Sequence, residues 1–305
     1  MSSSHRISGQ AEEWIQRFIF DLRTKEDLNP KTLNHYASDL RHFAQWIETS
    51  WNEHQEQETL FDPAKIATPM MIRYREFMQT VISLKPTTIN RRLNTLKRFF
   101  FWATQEGIIS INVSKPVKLV EEEKTSPMRM TDWDESSLVG AVQKFGNLRD
   151  QTLILLMLHT GLRSMEVCDV TLKDIQLGKR SGNLHVIGKR NKHRDVPLNA
   201  TIRNALEIYL ATLPENSEFL FVSEKTGGRL GERGLRYIIQ KYMKYAKLEF
   251  SAHDLRHRFG YVMAERTPLH RLAQIMGHDS LDTTMIYVQA TQADLQTEVE
   301  KIAWT

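Results

Sequence analysis

Cysteine is almost missing from this 305-residue chain: Cys168 stands alone, so no internal disulfide can form and no CxxC pair exists for a zinc ribbon or redox site. That scarcity points to a reducing, cytoplasmic setting. Long apolar runs are missing too. No stretch reaches the roughly 18 uncharged apolar residues of a membrane span, and the opening MSSSHRISGQ lacks the apolar core of a secretory signal, so a membrane partner is not expected. There is no GxxxxGK[ST] phosphate loop, no obvious carboxylate cluster for two metals, no internal repeat and no low-complexity segment. Nor is charge of one sign in large excess: 41 basic against 37 acidic residues leave +4, shared evenly on either side of Met130, so neither part is a polybasic tail.

What is present suits two domains, each long enough to bury a core. The apolar (41 %) and charged (26 %) fractions are those of a globular chain rather than a disordered one. Basic residues cluster in two places, Arg91, Arg92, Lys97 and Arg98 in one and Lys189, Arg190, Lys192, His193 and Arg194 in the other. Two such runs in different domains point to a polyanion partner.

Apolar steps of three and four predict a helix over about residues 9 to 23, through Trp14, Ile15, Phe18, Ile19 and Leu22. A second begins at Asn29 as cap with Pro30 first in the helix, and carries Leu33, Tyr36, Leu40, Phe43, Trp46 and Ile47 on one face. Residues 48 to 66 turn polar and read as a loop. Helices over about 69–84 and 86–106 complete a bundle, the last with Leu93, Leu96, Phe99 and Phe100 inward and its basic residues outward. The expected organisation is a helical domain over 1–114, a linker over 115–130 marked by Pro116, Glu121 to Glu123 and Pro127, and a second domain over 131–305. In that domain Thr131 offers a helix cap, Leu153 to Leu158 a buried helix, and Leu184 to Ile187 with Asp195 to Leu198 two strands around the turn GKRNKH. Phe219 to Val222 reads as a third strand, and helices return from Gly231. The fold class is mostly α with a small β-sheet.

Four separated segments of the second domain carry unusual combinations. They are TGLRSMEV with Arg163 and Glu166, the strand turn with Lys189, SAHDLRHRFG with His253, Arg256 and His257, and IMGHDSLDTTMIYV with His278 and Tyr287. Each is unremarked alone, as a surface pair or a solvated hairpin. Together the arginines, the lysine and the histidines suit the oxygens of a phosphodiester, because guanidinium pairs bidentately with phosphate. A tyrosine hydroxyl beside them can attack phosphorus. The phosphotyrosine so formed conserves bond energy, so a strand can be rejoined without ATP and without a metal or other cofactor.

The order Arg163, Lys189, His253, Arg256, His278, Tyr287, in the contexts TGLRSMEV, GKRNK, HDLRH and MGH followed by the tyrosine, closely resembles the tyrosine recombinases, also called phage integrases. The resemblance extends to the first domain, where NPKTLNHYASDLRHFAQWI and TTINRRLNTLKRFFFWA look like helices of the family's SAM-like core-binding domain. It implies that Tyr287 is the nucleophile, that Arg163 and Arg256 clamp the non-bridging oxygens with His278 as a further donor, that Lys189 protonates the leaving 5′ oxygen, and that His253 helps take the tyrosine proton, with Glu166 orienting a neighbour. The chain departs from relatives at Asn112-Val113, where Asn-Pro is common.

The resemblance further implies a site-specific recombinase working through a 3′-phosphotyrosyl link and a Holliday junction on double-stranded DNA sites. DNA contacts are expected from Arg91, Arg92, Lys97 and Arg98, from Arg190 and Lys192, and from Arg233 and Arg236 on the helix after Gly231. A tail helix with Leu295, Val299, Ile302 and Trp304 is expected to dock on a neighbour, giving a tetramer on two sites, with accessory DNA-bending proteins as further partners. Helical pattern from residue 9 leaves no room for an additional arm-binding domain, which suits a simple Xer-like or transposon-resolvase type. The rival readings are a DNA-binding regulator of the same fold without chemistry, a type IB topoisomerase, and a zinc hydrolase built on His253 and His257, four residues apart.

Overall fold

The computed structural model describes residues 7–26, 28–52, 60–122, 129–188, 192–288 and 299–300. The chain divides into two compact units, Met1–Lys124 and Thr125–Thr305. Among the described residues the first unit is helical throughout, with α1 (Gly9–Lys25), α2 (Pro30–Asn52), α3 (Thr68–Thr80) and α4 (Pro86–Gln105).

Local chemistry starts each helix. The Ser8 hydroxyl accepts from Ala11 N at 3.1 Å and caps α1, while proline occupies the first turn of α3 and α4, where a missing N–H is harmless. The apolar stripes then meet in a core rich in aromatic rings. Phe43 stands edge-on to Tyr74 at 4.9 Å and Phe18 edge-on to Phe99 at 5.4 Å, and Phe18, Phe43, Tyr74, Phe99 and Phe100 are fully buried. Each such side chain contributes about 1.5–3 kcal/mol by leaving water.

The expected loop over residues 48–66 starts too early. α2 continues to Asn52, and Glu48 belongs to the helix, where its carboxylate accepts from Ser8 N at 2.9 Å and Phe61 N at 3.0 Å. A polar residue that ties two backbone segments from a helix end is indistinguishable in sequence from one in a loop. Beyond α4 the chain stays on this unit: Val117 is buried, and the buried Asn90 amide both donates to Val120 O (2.8 Å) and accepts from Val120 N (2.8 Å).

The second unit contains α5 (Asp132–Phe145), α6 (Leu148–Thr160), α7 (Ser164–Asp169), β1 (Ile175–Leu177), β2 (Gly182–Ile187), β3 (His193–Pro197), α8 (Ala200–Leu210), α9 (Glu232–Ala246), α10 (Ala252–Ala264), α11 (Leu269–Met276) and α12 (Asp282–Met285). Thr131 and Asp134 form a reciprocal capping box at the start of α5. The strands form one antiparallel sheet in the order β1-β2-β3, with Leu184 opposite Val196 and Ile187 opposite His193. Leu184, Val186 and Val196 point into the core, and alternate residues point out.

The third strand is Ile175–Leu177, not Phe219 to Val222. Phe219 and Val222 make only isolated bridges, to Thr171 and Arg229, while Leu220 and Phe221 between them are fully buried. An apolar run of four was core filling rather than a ladder. Within the expected tail helix, Val299 and Glu300 are helical, whereas Leu295, Ile302 and Trp304 lie outside the described residues.

Candidate active site and nucleic-acid interface

α6 ends at Gly161 with φ 62°, a left-handed turn that an L side chain resists and that packs on the Phe259 ring. This turn delivers Arg163 to the position just before α7. Glu166, one turn into α7, reaches back: its Oε2 accepts from Arg163 N at 2.8 Å and its Oε1 from Arg163 Nη1 at 2.9 Å. Arg163 Nη2 donates to Gly277 O at 2.8 Å, and the side chain keeps 41 % of its surface exposed. It faces a cavity of about 240 Å³ lined also by Ser164, Glu232, His253 and Arg256.

α10 supplies the next groups. Arg256 is buried, and its guanidinium donates to Gly161 O and to Met276 O, the latter at 2.9 Å. Burial and the nearby Arg163 charge pull its pKa down to about 10, so it remains a cation at neutral pH. His253 sits one turn earlier at the mouth, with its pKa lowered by the surrounding protein and then by Arg256. His257, the residue after Arg256, is buried with its pKa near 4, through desolvation and then the neighbouring His253.

Tyr287 follows α12 and is 7 % exposed. Its hydroxyl is hydrogen-bonded to Nδ1 of His257 at 3.1 Å, and burial raises its pKa to about 12 against the pull of Arg256. The ring lies over Gly260, where an added Cβ would fall 2.4 Å from Tyr287 Cζ, and it meets Tyr261 edge-on at 5.2 Å. His278 stacks beside it at 6.3 Å between ring centres and bonds Thr284 Oγ1 through Nδ1 at 2.7 Å. Desolvation, then the charges of Arg256 and Arg163, hold His278 near pKa 4. A buried phenol therefore sits in reach of two fixed guanidinium charges, an arrangement that can stabilise added negative charge on phosphorus.

The structure thus brings Arg163, Glu166, His253, Arg256, His278 and Tyr287 into one neighbourhood. Lys189 and Arg190 lie outside the described residues. Two residues named in the sequence without a part in this chemistry, His257 as a rival zinc ligand and Arg194 in a basic run, belong to the site. His257, not His253, contacts the tyrosine hydroxyl, and its position three before Gly260 and four before Tyr261 on one helical face was the available signal. Arg194 binds Glu166 through both oxygens, at 2.9 and 2.8 Å. Of the zinc pair, His253 and His257 meet edge to face at 4.3 Å, and among the described residues no three His, Cys, Asp or Glu side chains gather as a metal site.

Within α4 the expected DNA-contacting residues do not share one face. On α4, Arg91 and Arg98 line a groove of about 680 Å³ with His35, Tyr36, Asn94 and buried Asp39. Asp39 accepts from Arg91 and from Thr95 Oγ1 (2.9 Å), and Arg98 lies over the Tyr36 ring. Arg92 and Lys97 do not line that groove: Arg92 runs beneath it beside Met78 with Nε 3.9 Å from Asp39 Oδ1, and Lys97 Nζ donates to Ser114 O at 3.0 Å. In the second unit Lys192 is exposed and paired with Asp279. Arg233 and Arg236 are exposed on α9 next to Tyr237, with Glu232 3.5 Å from Arg236.

The sequence pattern of the phage integrase family matches residues 128–294, and that of the phage integrase N-terminal SAM-like domain matches residues 15–107. Tyrosine recombinase XerC of Thermodesulfovibrio yellowstonii is 30 % identical over 301 residues, covering 94 % of each chain. Tyrosine recombinase XerC of Oceanobacillus iheyensis is 29 % identical over 300 residues, again 94 % of each. Among solved structures, the XerH site-specific recombinase in its post-cleavage complex with a palindromic difH substrate superimposes with a TM-score of 0.76 at 19 % identity, over 95 % of each chain. With both units matched, the chain belongs to the phage integrase family, the tyrosine recombinases.

Proposed function

We propose that this chain is a site-specific DNA recombinase that cuts and rejoins strands at Tyr287. The phenolic oxygen attacks phosphorus, the bond from phosphorus to the 5′ oxygen breaks, and a 3′-phosphotyrosyl link forms. The phenol proton passes to a histidine, and Lys189 returns a proton to the departing 5′ oxygen. His257 is the nearer acceptor, already at the hydroxyl, with His253 beside it. Arg163 and Arg256 offset the charge of the phosphorane-like transition state, with His278 as a further donor. The observation that carries the reading is the Tyr287 hydroxyl held by His257 within the electrostatic reach of both arginines.

In this reading residues 1–114 form the core DNA-binding domain, 115–130 a linker whose first part packs on that domain through Val117 and Val120, and 131–305 the catalytic domain. Arg91 and Arg98 in the α4 groove and Arg233 and Arg236 on α9 contact duplex DNA, together with Arg190 and Lys192, whereas Arg92 and Lys97, which do not line the groove, help to hold α4 in place. Four protomers assemble on two sites through the tail helix and exchange strands by way of a Holliday junction. The names of the relatives support this reading, since XerC and XerH are called recombinases.

The test begins with sites recovered by selecting bound genomic fragments. Two copies in direct repeat on one plasmid are expected to yield a deleted circle with the wild type and none with Tyr287→Phe. Relaxation without exchange would instead assign a type IB topoisomerase, and binding with neither would assign the regulator.

A further inference from the structure

Arg194, on β3, is oriented by Glu166 of the site and by the backbone of α11. Its Nη1 and Nη2 donate to Glu166 Oε1 (2.9 Å) and Oε2 (2.8 Å), and its Nε donates to Ile275 O at 3.0 Å. The side chain is only 12 % exposed, and that of Glu166 5 %. Gly277, at φ +65°, lies flat against this guanidinium; a Cβ there would fall 2.8 Å from Nη1 and 2.9 Å from Cζ. The same Gly277 offers its carbonyl to Arg163, and His278 follows directly.

Each Glu166 oxygen accepts one bond from Arg194 and one from Arg163. Burial alone would raise the Glu166 pKa, but the bonds and charge of Arg194, together with the backbone bond and charge of Arg163, more than offset it, so the carboxylate stays ionised. An ionised carboxylate beside a phosphate-binding arginine is a liability, because it opposes an incoming phosphate and pairs off the cation meant for it. Two guanidinium groups around one carboxylate leave a net positive charge. One would leave none.

We propose that Arg194 is a positioning residue for DNA cleavage: it neutralises and fixes Glu166, so that the charge of Arg163 stays available to the phosphate and the 277–278 turn stays seated. In this role Arg194 acts through Glu166 and Gly277 rather than on the phosphate itself. The inference rests on Tyr287 chemistry.

Its test uses the full-length protein and a nicked duplex carrying the recovered site, with covalent complex formation as readout. Arg194→Met is expected to lower the cleavage rate about 10- to 100-fold, the range lost when a residue that orients a metal ligand is removed, while DNA affinity changes little. Arg194→Lys keeps the charge but not the fork and recovers part of the rate. The decisive variant is Arg194→Met with Glu166→Gln: removing the carboxylate charge frees Arg163, so the double variant cleaves faster than Arg194→Met alone. A double variant as slow as or slower than Arg194→Met, or an Arg194→Met protein as fast as wild type, overturns the proposal. If the double variant does not fold, as judged by its melting curve, a methylphosphonate at the scissile position replaces it. That neutral phosphorus needs less cationic help, and the deficit of Arg194→Met, or of Arg194→Lys should the methionine variant also fail to fold, must shrink there by at least about tenfold, or to parity with wild type where the starting deficit is smaller, for an electrostatic role; an unchanged deficit contradicts it. Wild-type protein that forms no adduct, or Tyr287→Phe protein that does, would refute the underlying reading instead.

Discussion

A buried phenol does not ionise by itself near neutral pH, and at about 12 the pKa of Tyr287 lies well above the working range. The neighbouring His257 and His278, near 4, are neutral there, so His257 can accept the phenol proton as it is given up rather than beforehand. These histidines also set a stability trend. Their folded pKa lies below the unfolded value of 6.5, so between about pH 6.5 and 4 the unfolded chain binds more protons and stability falls as pH falls. Urea midpoints measured across that window should decline, and His257→Asn should decline less steeply than wild type. Gly260 gives a second expectation. Glycine within a helix costs about 1 kcal/mol relative to alanine, so Gly260→Ala favours α10 intrinsically, yet its Cβ would fall 2.4 Å from the Tyr287 ring. The expected outcome in a single-turnover cleavage assay is a rate at least about tenfold lower with folding retained; an unchanged rate would show that the ring does not need this seat.

Among elements, the long amphipathic helices were legible because their apolar residues repeat at helical spacing and their caps are chemically marked, as at Pro30, Pro86 and Thr131. The edge strand Ile175–Leu177 was not, since its three residues are too short to show alternation and its pairing with Gly182–Leu184 is defined only by the folded turn between them. The same limit applies to the site. Spacing within one segment revealed Arg163 with Glu166 and His253 with Arg256, but the tie from Arg194 to Glu166 spans 28 positions and exists only once β3 packs beside α11. Asn90 of α4 is a similar long-range device. Its amide pairs both ways with the Val120 backbone, as a neighbouring strand would. In Asn90→Ala protein the Val120 amide should exchange with solvent at least about tenfold faster while amides of the α4 interior are unaffected, which hydrogen-exchange mass spectrometry can resolve.

For the whole molecule, net charge is a poor guide to the partner. An excess of +4 is slight, and its effect depends on where the cations cluster. The α4 groove and the exposed face of α9 concentrate them on separate units, so DNA affinity should fall steeply with added salt. Titrations from low to moderate salt should show log Kd linear in log salt, and Arg236→Ala should lower the slope by about 1. Equal slopes for variant and wild type would remove Arg236 from the phosphate contacts. The account as a whole stands on the identity of the atom that bonds to DNA. Wild-type protein trapped on a nicked site, digested and analysed by mass spectrometry, should carry its nucleotide on the peptide containing Tyr287, with a free 5′ hydroxyl on the released strand. A nucleotide on any other residue, or no linked peptide from protein that binds and exchanges its sites, would contradict it.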